Sequence, residues 1–200
     1  MSADAIGTLL DRSTARSTSP VAIRVGAVAL AAAATAAAAQ ITAPVPFTAV
    51  PFALTPMVVL LAGAALGSRL GFASQVLYLA AGAAGLQVFA PSVTLPPGAA
   101  RLIGPTGGYL AAYPIAAFVT GWLAERGWDR RLFTSAIAMV IGLGLIFALG
   151  VGWLSRFAGS LPAAVAQGLT PFIIPDLFKV LAAAMVLPQV WRLIGRADRR

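Results

Sequence analysis

The sequence predicts an all-α, polytopic integral membrane protein with six transmembrane helices, and three observations carry that reading. Of 200 residues, 60% are hydrophobic and only 10% charged, with a mean hydropathy of +0.90, outside the range of soluble domains. The apolar residues gather in runs of about 20, the length that crosses a ~30 Å hydrocarbon core. Basic residues stand at the ends of those runs. A formal net charge of +8 in a soluble protein would point to nucleic acid, but here the basic groups share no face. Membrane topology accounts for them instead, so a lipid bilayer and no nucleic-acid partner is expected.

Residues 1–20 are polar, small and basic, with Asp4, Asp11, Arg12 and Arg16, and read as a cytoplasmic arm. Arg12, Arg16 and Arg24, followed by an Ala-rich run and an Ala-x-Ala pattern near Ala39, share features with a secretory signal. The apolar run of about 20 residues is longer than an h-region, so a retained span beginning near Val21 is expected. From Val25 to Ser68 there is no charge, room for two spans joined by a turn at Pro44, Pro46, Pro51 and Pro56. Further spans are expected from Leu70 to Phe89, Pro105 to Leu123, Leu132 to Leu154 and Pro171 to Leu193. The membrane domain thus covers 21–195, followed by a basic tail, 196–200.

Orientation follows from the basic residues, which are retained in the cytoplasm near span ends. With the N-terminus inside, the inner side carries Arg12, Arg16, Arg24, Arg69, Arg126, Arg130, Arg131, Arg192, Arg196, Arg199 and Arg200, and the outer side only Arg101 and Arg156. Dropping one span would scatter basic clusters over both faces. A multi-pass protein of the cell membrane with both termini cytoplasmic is expected.

Cysteine and histidine are both absent, which removes disulfides, Cys/His metal sites and His-based triads. No Gly-x-x-x-x-Gly-Lys-Ser/Thr phosphate loop occurs, so this chain does not hydrolyse ATP by that route. Neither enzymatic activity nor a cofactor or metal is expected.

The informative exception to apolarity is Asp176 with Lys179, the only lysine. A charge near a bilayer midplane costs roughly 2.5–3.5 kcal/mol on insertion scales, so two in one span need an offset. Their i, i+3 spacing places them on one helix face. Pro175 starts or kinks the helix there, leaving free N–H groups that favour a carboxylate. An internal ion pair and a ligand site both fit this pattern. Arg101, three residues before Gly104-Pro-Thr-Gly-Gly-Tyr-Leu, offers a planar donor fork suited to a carboxylate; a solvated loop arginine beside a turn uses the same residues. Phe47 and Phe52, in a proline-stiffened loop, either cover an apolar ligand or anchor at headgroup level. Ala27, Ala31 and Ala34 put small residues along one ridge of the first span, suited to close packing within the bundle or to docking another membrane protein. Gln75 and Tyr78 are polar groups of the third span. Either could line a site, although Gln75, near the inner end, is better placed to meet water or a neighbouring carbonyl.

Taken in order, Val45-Pro-Phe-Thr-Ala-Val-Pro-Phe, Leu60-Leu-Ala-Gly-Ala-Ala-Leu-Gly, Leu77-Tyr-Leu-Ala-Ala-Gly-Ala-Ala-Gly-Leu-Gln-Val-Phe, Gly104-Pro-Thr-Gly-Gly-Tyr-Leu and Pro175-Asp-Leu-Phe-Lys closely resemble the BioY family. The resemblance covers roughly residues 20–195. The chain departs from the family pattern at Leu54-Thr55-Pro56, where Leu-Gln-Thr is common, at Gln87, where proline is usual, and at Ile174-Pro175-Asp176, where the family has Pro-Gly-Asp.

The resemblance implies a biotin-binding S component of an energy-coupling factor (ECF) transporter, a six-helix bundle that works with a transmembrane coupling (T) subunit and ATPase (A) subunits. It also implies that the small-residue face of the first span docks on the coupling subunit. With biotin as the implied ligand, Asp176 is expected to accept ureido N–H bonds while Lys179 balances its charge and donates to a ligand oxygen. Arg101 would then meet the valerate carboxylate, with Phe47, Phe52 and Tyr78 against the apolar body. The alternative is a self-sufficient or proton-coupled secondary transporter in which Asp176 titrates.

Overall fold

The computed structural model describes residues 8–10, 19–43, 45, 47–92 and 95–197. Most of the expected N-terminal arm, including Arg12 and Arg16, lies outside the described residues, as do Pro44, Pro46, Arg199 and Arg200. Of the arm, Thr8 and Leu10 are buried and Leu9 packs on the core, so this stretch is tucked against the bundle.

Pro20 sits in the first turn of α1, Pro20–Gln40, where its missing N–H costs nothing. Its 21 residues span about 31 Å at ~1.5 Å per residue, a membrane's hydrocarbon thickness. The proline-rich connection that follows contains an antiparallel ribbon, β1 (Thr42–Ala43) with β2 (Phe52–Ala53), pairing Thr42 with Ala53. Helices α2 (Thr55–Leu66) and α3 (Ser68–Ala83) are separated by Gly67 alone. At φ 86° that residue takes a conformation open mainly to glycine. The Glu125 carboxylate accepts bonds from the Ser68 N–H at 2.7 Å and its hydroxyl at 2.8 Å, supplying an anion at the α3 N-terminus. The four-residue α4, Ala100–Ile103, precedes α5, Gly107–Glu125. A 3-10 turn, η1 (Trp128–Arg130), leads into α6, Leu132–Ala158. The short α7 (Leu161–Gly168), capped by the Ser160 hydroxyl, connects to α8, Ile173–Ala197.

Helix α5 is the centre of the bundle. It packs on α2, α3 and α6, while α1 closes over α2 and α3, and α8 over α6 and α2. Ala112, Ala116 and Ala117 of α5, Leu60 of α2 and Met139 of α6 have no exposed surface. Small α5 side chains let the neighbouring backbones approach. Outside, the usual polarity is inverted. Val25, Leu30, Phe72, Phe118, Phe133 and Phe178 are exposed, whereas Thr35, Ser74, Gln75, Asp129 and Asp176 are buried. An apolar rim around buried polar groups suits lipid surroundings.

Among the described residues, three helices are long and apolar enough to cross a membrane alone: α1, α6 and the Ile173–Arg192 part of α8. Helix α2, with 12 residues, extends only about 18 Å, short of a ~30 Å core. The long apolar runs expected on either side of Ser68 are therefore trimmed. Gly67 ends α2, and the chain leaves α3 six residues before Phe89 through Gly85, φ 96°. The ribbon and α7 are additions to the sequence-based expectation.

Candidate functional site

One end of the bundle is drawn together by polar contacts between α3 and α5, through Ser68 and Glu125, and between η1 and α8. In the latter, the Trp191 indole N–H donates to Asp129 at 2.5 Å. Arg69, Arg126 and Arg131 are exposed there. The opposite end opens into a cavity whose empty space, counting its open mouth, is about 680 Å³. It is walled by the end of α1, the β2 segment, the start of α2, the last turns of α3, the start of α5, the second half of α6 and the first turn of α8.

Asp176 projects into this cavity from the first turn of α8, 5% exposed, its N–H bonded to the Phe172 carbonyl at 2.9 Å. It is ion-paired with Lys179 one turn on. The Lys179 ammonium also donates to the Ala53 carbonyl at 2.6 Å and lies 3.8 Å from the centre of the Phe52 ring. Lysine and aspartate are therefore neighbours that face different tasks, the carboxylate toward the cavity and the ammonium toward the ribbon beside it. Positions 176 and 179 thus form an ion pair whose carboxylate also lines the cavity.

Tyr78 lines the cavity at 2% exposure, with its ring edge-on to Phe89 at 5.5 Å and tilted against Tyr113 at 6.4 Å. Phe89 reaches this position by folding back on α3 over Gly82, where a Cβ would overlap its ring carbons. Arg101 also lines the cavity, buried, and donates through Nε to the Pro96 carbonyl at 2.9 Å and through its terminal nitrogens to Ala90 at 3.2 Å and Leu95 at 3.5 Å. Burial lowers its pKa, opposed in part by Tyr78, yet a guanidinium stays charged. Three of its five N–H donors hold the loop and two are left over. Gln40 fastens the same loop by donating to the carbonyls of Gln87 at 3.3 Å and Phe89 at 3.4 Å.

Other candidates stand apart from the cavity. Phe47 is exposed and does not line it. Phe52 is half-buried, outside the cavity lining, with its ring against the Lys179 ammonium. Gln75, one turn deeper than Tyr78, is fully buried and donates to the hydroxyls of Thr35 at 3.2 Å and Ser74 at 3.1 Å, joining α3 to α1. On α1, Ala34 is exposed but Ala27 and Ala31 are half-buried; the exposed small residues run Ala22, Gly26, Ala29, Ala33 and Ala37.

Sequence reasoning overlooked Thr106, Tyr109 and Tyr113. Tyr109 donates to the Gly168 carbonyl at 2.9 Å, bracing α5 against α7, and the Thr106 hydroxyl has no partner at the cavity wall. Thr106 and Tyr109 belong to the Gly-Pro-Thr-Gly-Gly-Tyr segment, and Tyr113 follows Tyr109 on the same helix face, the signal that could have found all three.

The described residues contain no group of His, Cys, Asp and Glu that could hold a metal. The cavity instead joins aromatic rings, one carboxylate, one guanidinium and hydroxyls, a set suited to a compact, partly apolar ligand with its own donors and acceptors.

The family model described as the BioY family matches residues 12–196. A protein of Pyrococcus horikoshii named probable biotin transporter BioY is 41% identical over 128 residues, 64% of this chain and 72% of that protein. Biotin transporter BioY of Thermotoga maritima is 38% identical over 136 residues, 68% of this chain and 77% of that one. In fold, the chain is similar to the crystal structure of an S-component for biotin from an ECF-type ABC transporter. The TM-score is 0.79 at 24% identity, covering 88% of this chain and 94% of that one.

Proposed function

The chain belongs to the BioY family, and from that premise we propose that it is the high-affinity biotin-binding subunit of an ECF-type transporter, moving biotin into the cell. The observation that carries this reading is the buried Asp176 carboxylate, held by Lys179, facing an aromatic cavity. Biotin brings two ureido N–H donors, a ureido carbonyl, an apolar thioether ring and a carboxylate tail. Asp176 accepts ureido N–H bonds, Tyr78, Phe89 and Tyr113 contact the apolar rings, and the two spare donors of Arg101 receive the tail. Each charge-assisted bond contributes about 1.5–3 kcal/mol.

Binding of labelled biotin to the purified protein in detergent tests this assignment. Asp176→Asn replaces an acceptor with a donor and is expected to weaken binding about 10- to 150-fold. Unchanged affinity in a variant that still unfolds cooperatively would remove Asp176 from the site.

In the same reading, the chain crosses the membrane six times: in α1, in α2 together with the ribbon segment leading into it, and in α3, α5, α6 and α8. The arginine-rich end and both termini face the cytoplasm, and the cavity opens outward. Lacking a nucleotide-binding loop, the subunit draws on ATPase subunits through a coupling protein. Docking falls on the exposed α1 ridge of Gly26, Ala29, Ala33 and Ala37, with Ala34 at its margin. The same absence of a phosphate loop, with a buried carboxylate at the cavity, supports a second reading, proton-coupled uptake by this chain alone. Reconstitution in liposomes separates them: uptake driven by a pH gradient without ATPase subunits favours the second, and uptake only with ATP and partner subunits the first.

A further inference from the structure

Among the buried side-chain polar atoms of the described residues that have no hydrogen-bond partner, two belong to residues lining the ligand cavity: Asp176 Oδ1 and Thr106 Oγ1. Asp176 is compensated by the charge of Lys179. Thr106, 7% exposed, has no such compensation. Its hydroxyl also forgoes the use that its position offers. Thr106 immediately precedes α5, where a threonine side chain commonly accepts from an N–H of the first helical turn, and it makes no such bond.

The residue is nevertheless held in place, because the backbone around it is tied down. The Gly104 carbonyl accepts from the Gly107 N–H and from the Trp153 indole of α6, both at 2.9 Å, and the Thr106 carbonyl accepts from the Leu110 N–H at 3.2 Å. The hydroxyl therefore contributes no bond to the fold while standing on a fixed part of the wall. A buried hydroxyl without a partner costs free energy. The cavity is the remaining source of one: water while it is empty, and the ligand once water is displaced.

We propose that Thr106 is a ligand-binding residue whose hydroxyl donates to an acceptor oxygen of the ligand, and that it is kept for binding at the expense of stability. The inference rests on the reading of this cavity as the biotin site. Biotin offers two acceptors for such a donor, the ureido carbonyl and the tail carboxylate. A ligand that presents only carbon at this part of the wall leaves the hydroxyl unpaired and is rejected, so Thr106 also determines specificity.

The test joins two measurements on Thr106→Val, which replaces the hydroxyl with a methyl of similar size. Affinity for labelled biotin in detergent is expected to fall about 3- to 100-fold, least for a bond to the neutral carbonyl and most for one to the carboxylate. The thermal midpoint without biotin is expected to stay at or above that of the parent, because no cap or internal bond is lost. Thr106→Ser, which keeps the hydroxyl, should bind within about threefold of the parent. Competition by biotinol, whose tail ends in a hydroxyl in place of the carboxylate, locates the bond: an undiminished loss puts it at the ureido carbonyl, a smaller one at the tail. Affinity of Thr106→Val within about twofold of the parent overturns the proposal, as does Thr106→Ser binding as poorly as Thr106→Val. A midpoint more than about 4 °C below the parent, or failure to fold, makes the hydroxyl structural and overturns it too. If the parent itself binds no biotin, the reading of the cavity has failed and this inference falls with it.

Discussion

Lys179→Met removes an ammonium that serves three neighbours at once. The side chain keeps most of its apolar length, but Asp176 loses its ion pair, the Ala53 carbonyl loses a 2.6 Å bond and the Phe52 ring loses its cation. Breaking a buried pair from one side costs about 3–5 kcal/mol because the remaining charge stays buried. For a domain of ~200 residues each kcal/mol moves the midpoint by about 2–4 °C, so Lys179→Met should unfold roughly 6–20 °C below the parent. Replacing both partners, in Asp176→Leu/Lys179→Met, leaves no orphan charge and should restore most of that loss, while binding no biotin. Tryptophan emission during a thermal ramp in detergent reads the stability and labelled biotin reads the site. A Lys179→Met midpoint within about 2 °C of the parent would refute the reasoning, and so would a double variant as unstable as the single one.

Gly82→Ala places a methyl in overlap with the Phe89 ring, and overpacking of this kind costs about 1–3 kcal/mol. Because Phe89 must move off Tyr78, biotin binding should weaken along with the midpoint, which a titration of labelled biotin checks. Arg101→Lys keeps the charge but cannot span the carbonyls of Pro96, Ala90 and Leu95. Limited proteolysis between Leu86 and Ala99 should therefore accelerate, and equal cleavage rates would show that the fork does not hold this loop.

The sequence made the long helices legible because their apolar runs are bounded by charges and prolines. The run expected from Leu132 to Leu154 appears as Leu132–Ala158, and the one from Pro105 to Leu123 as Gly107–Glu125. Hydropathy overshot α2 and α3, since Gly67 and Gly85 end the helices by backbone conformation while the apolar composition continues. The ribbon was invisible because strands of two residues carry no alternation to read. At the cavity, intramembrane charge singled out Asp176 and Lys179, but nothing local showed that the ammonium reaches a carbonyl 126 positions earlier. Gln75 and Tyr78 share a helix face and look equivalent in sequence. Depth separates them, and depth is set by where the lining helices stop.

The clasp from α8 to the ribbon has a consequence for how this chain tolerates change. Lys179 grips a main-chain oxygen, and every amino acid supplies one at position 53. Position 53 is thus free to drift in side-chain identity, or to be recoded for a reporter group, without loosening that bond, whereas Phe52, whose ring meets the ammonium, and the lysine have no such freedom. Variation is absorbed at position 53 of the ribbon and denied to the helix that holds it.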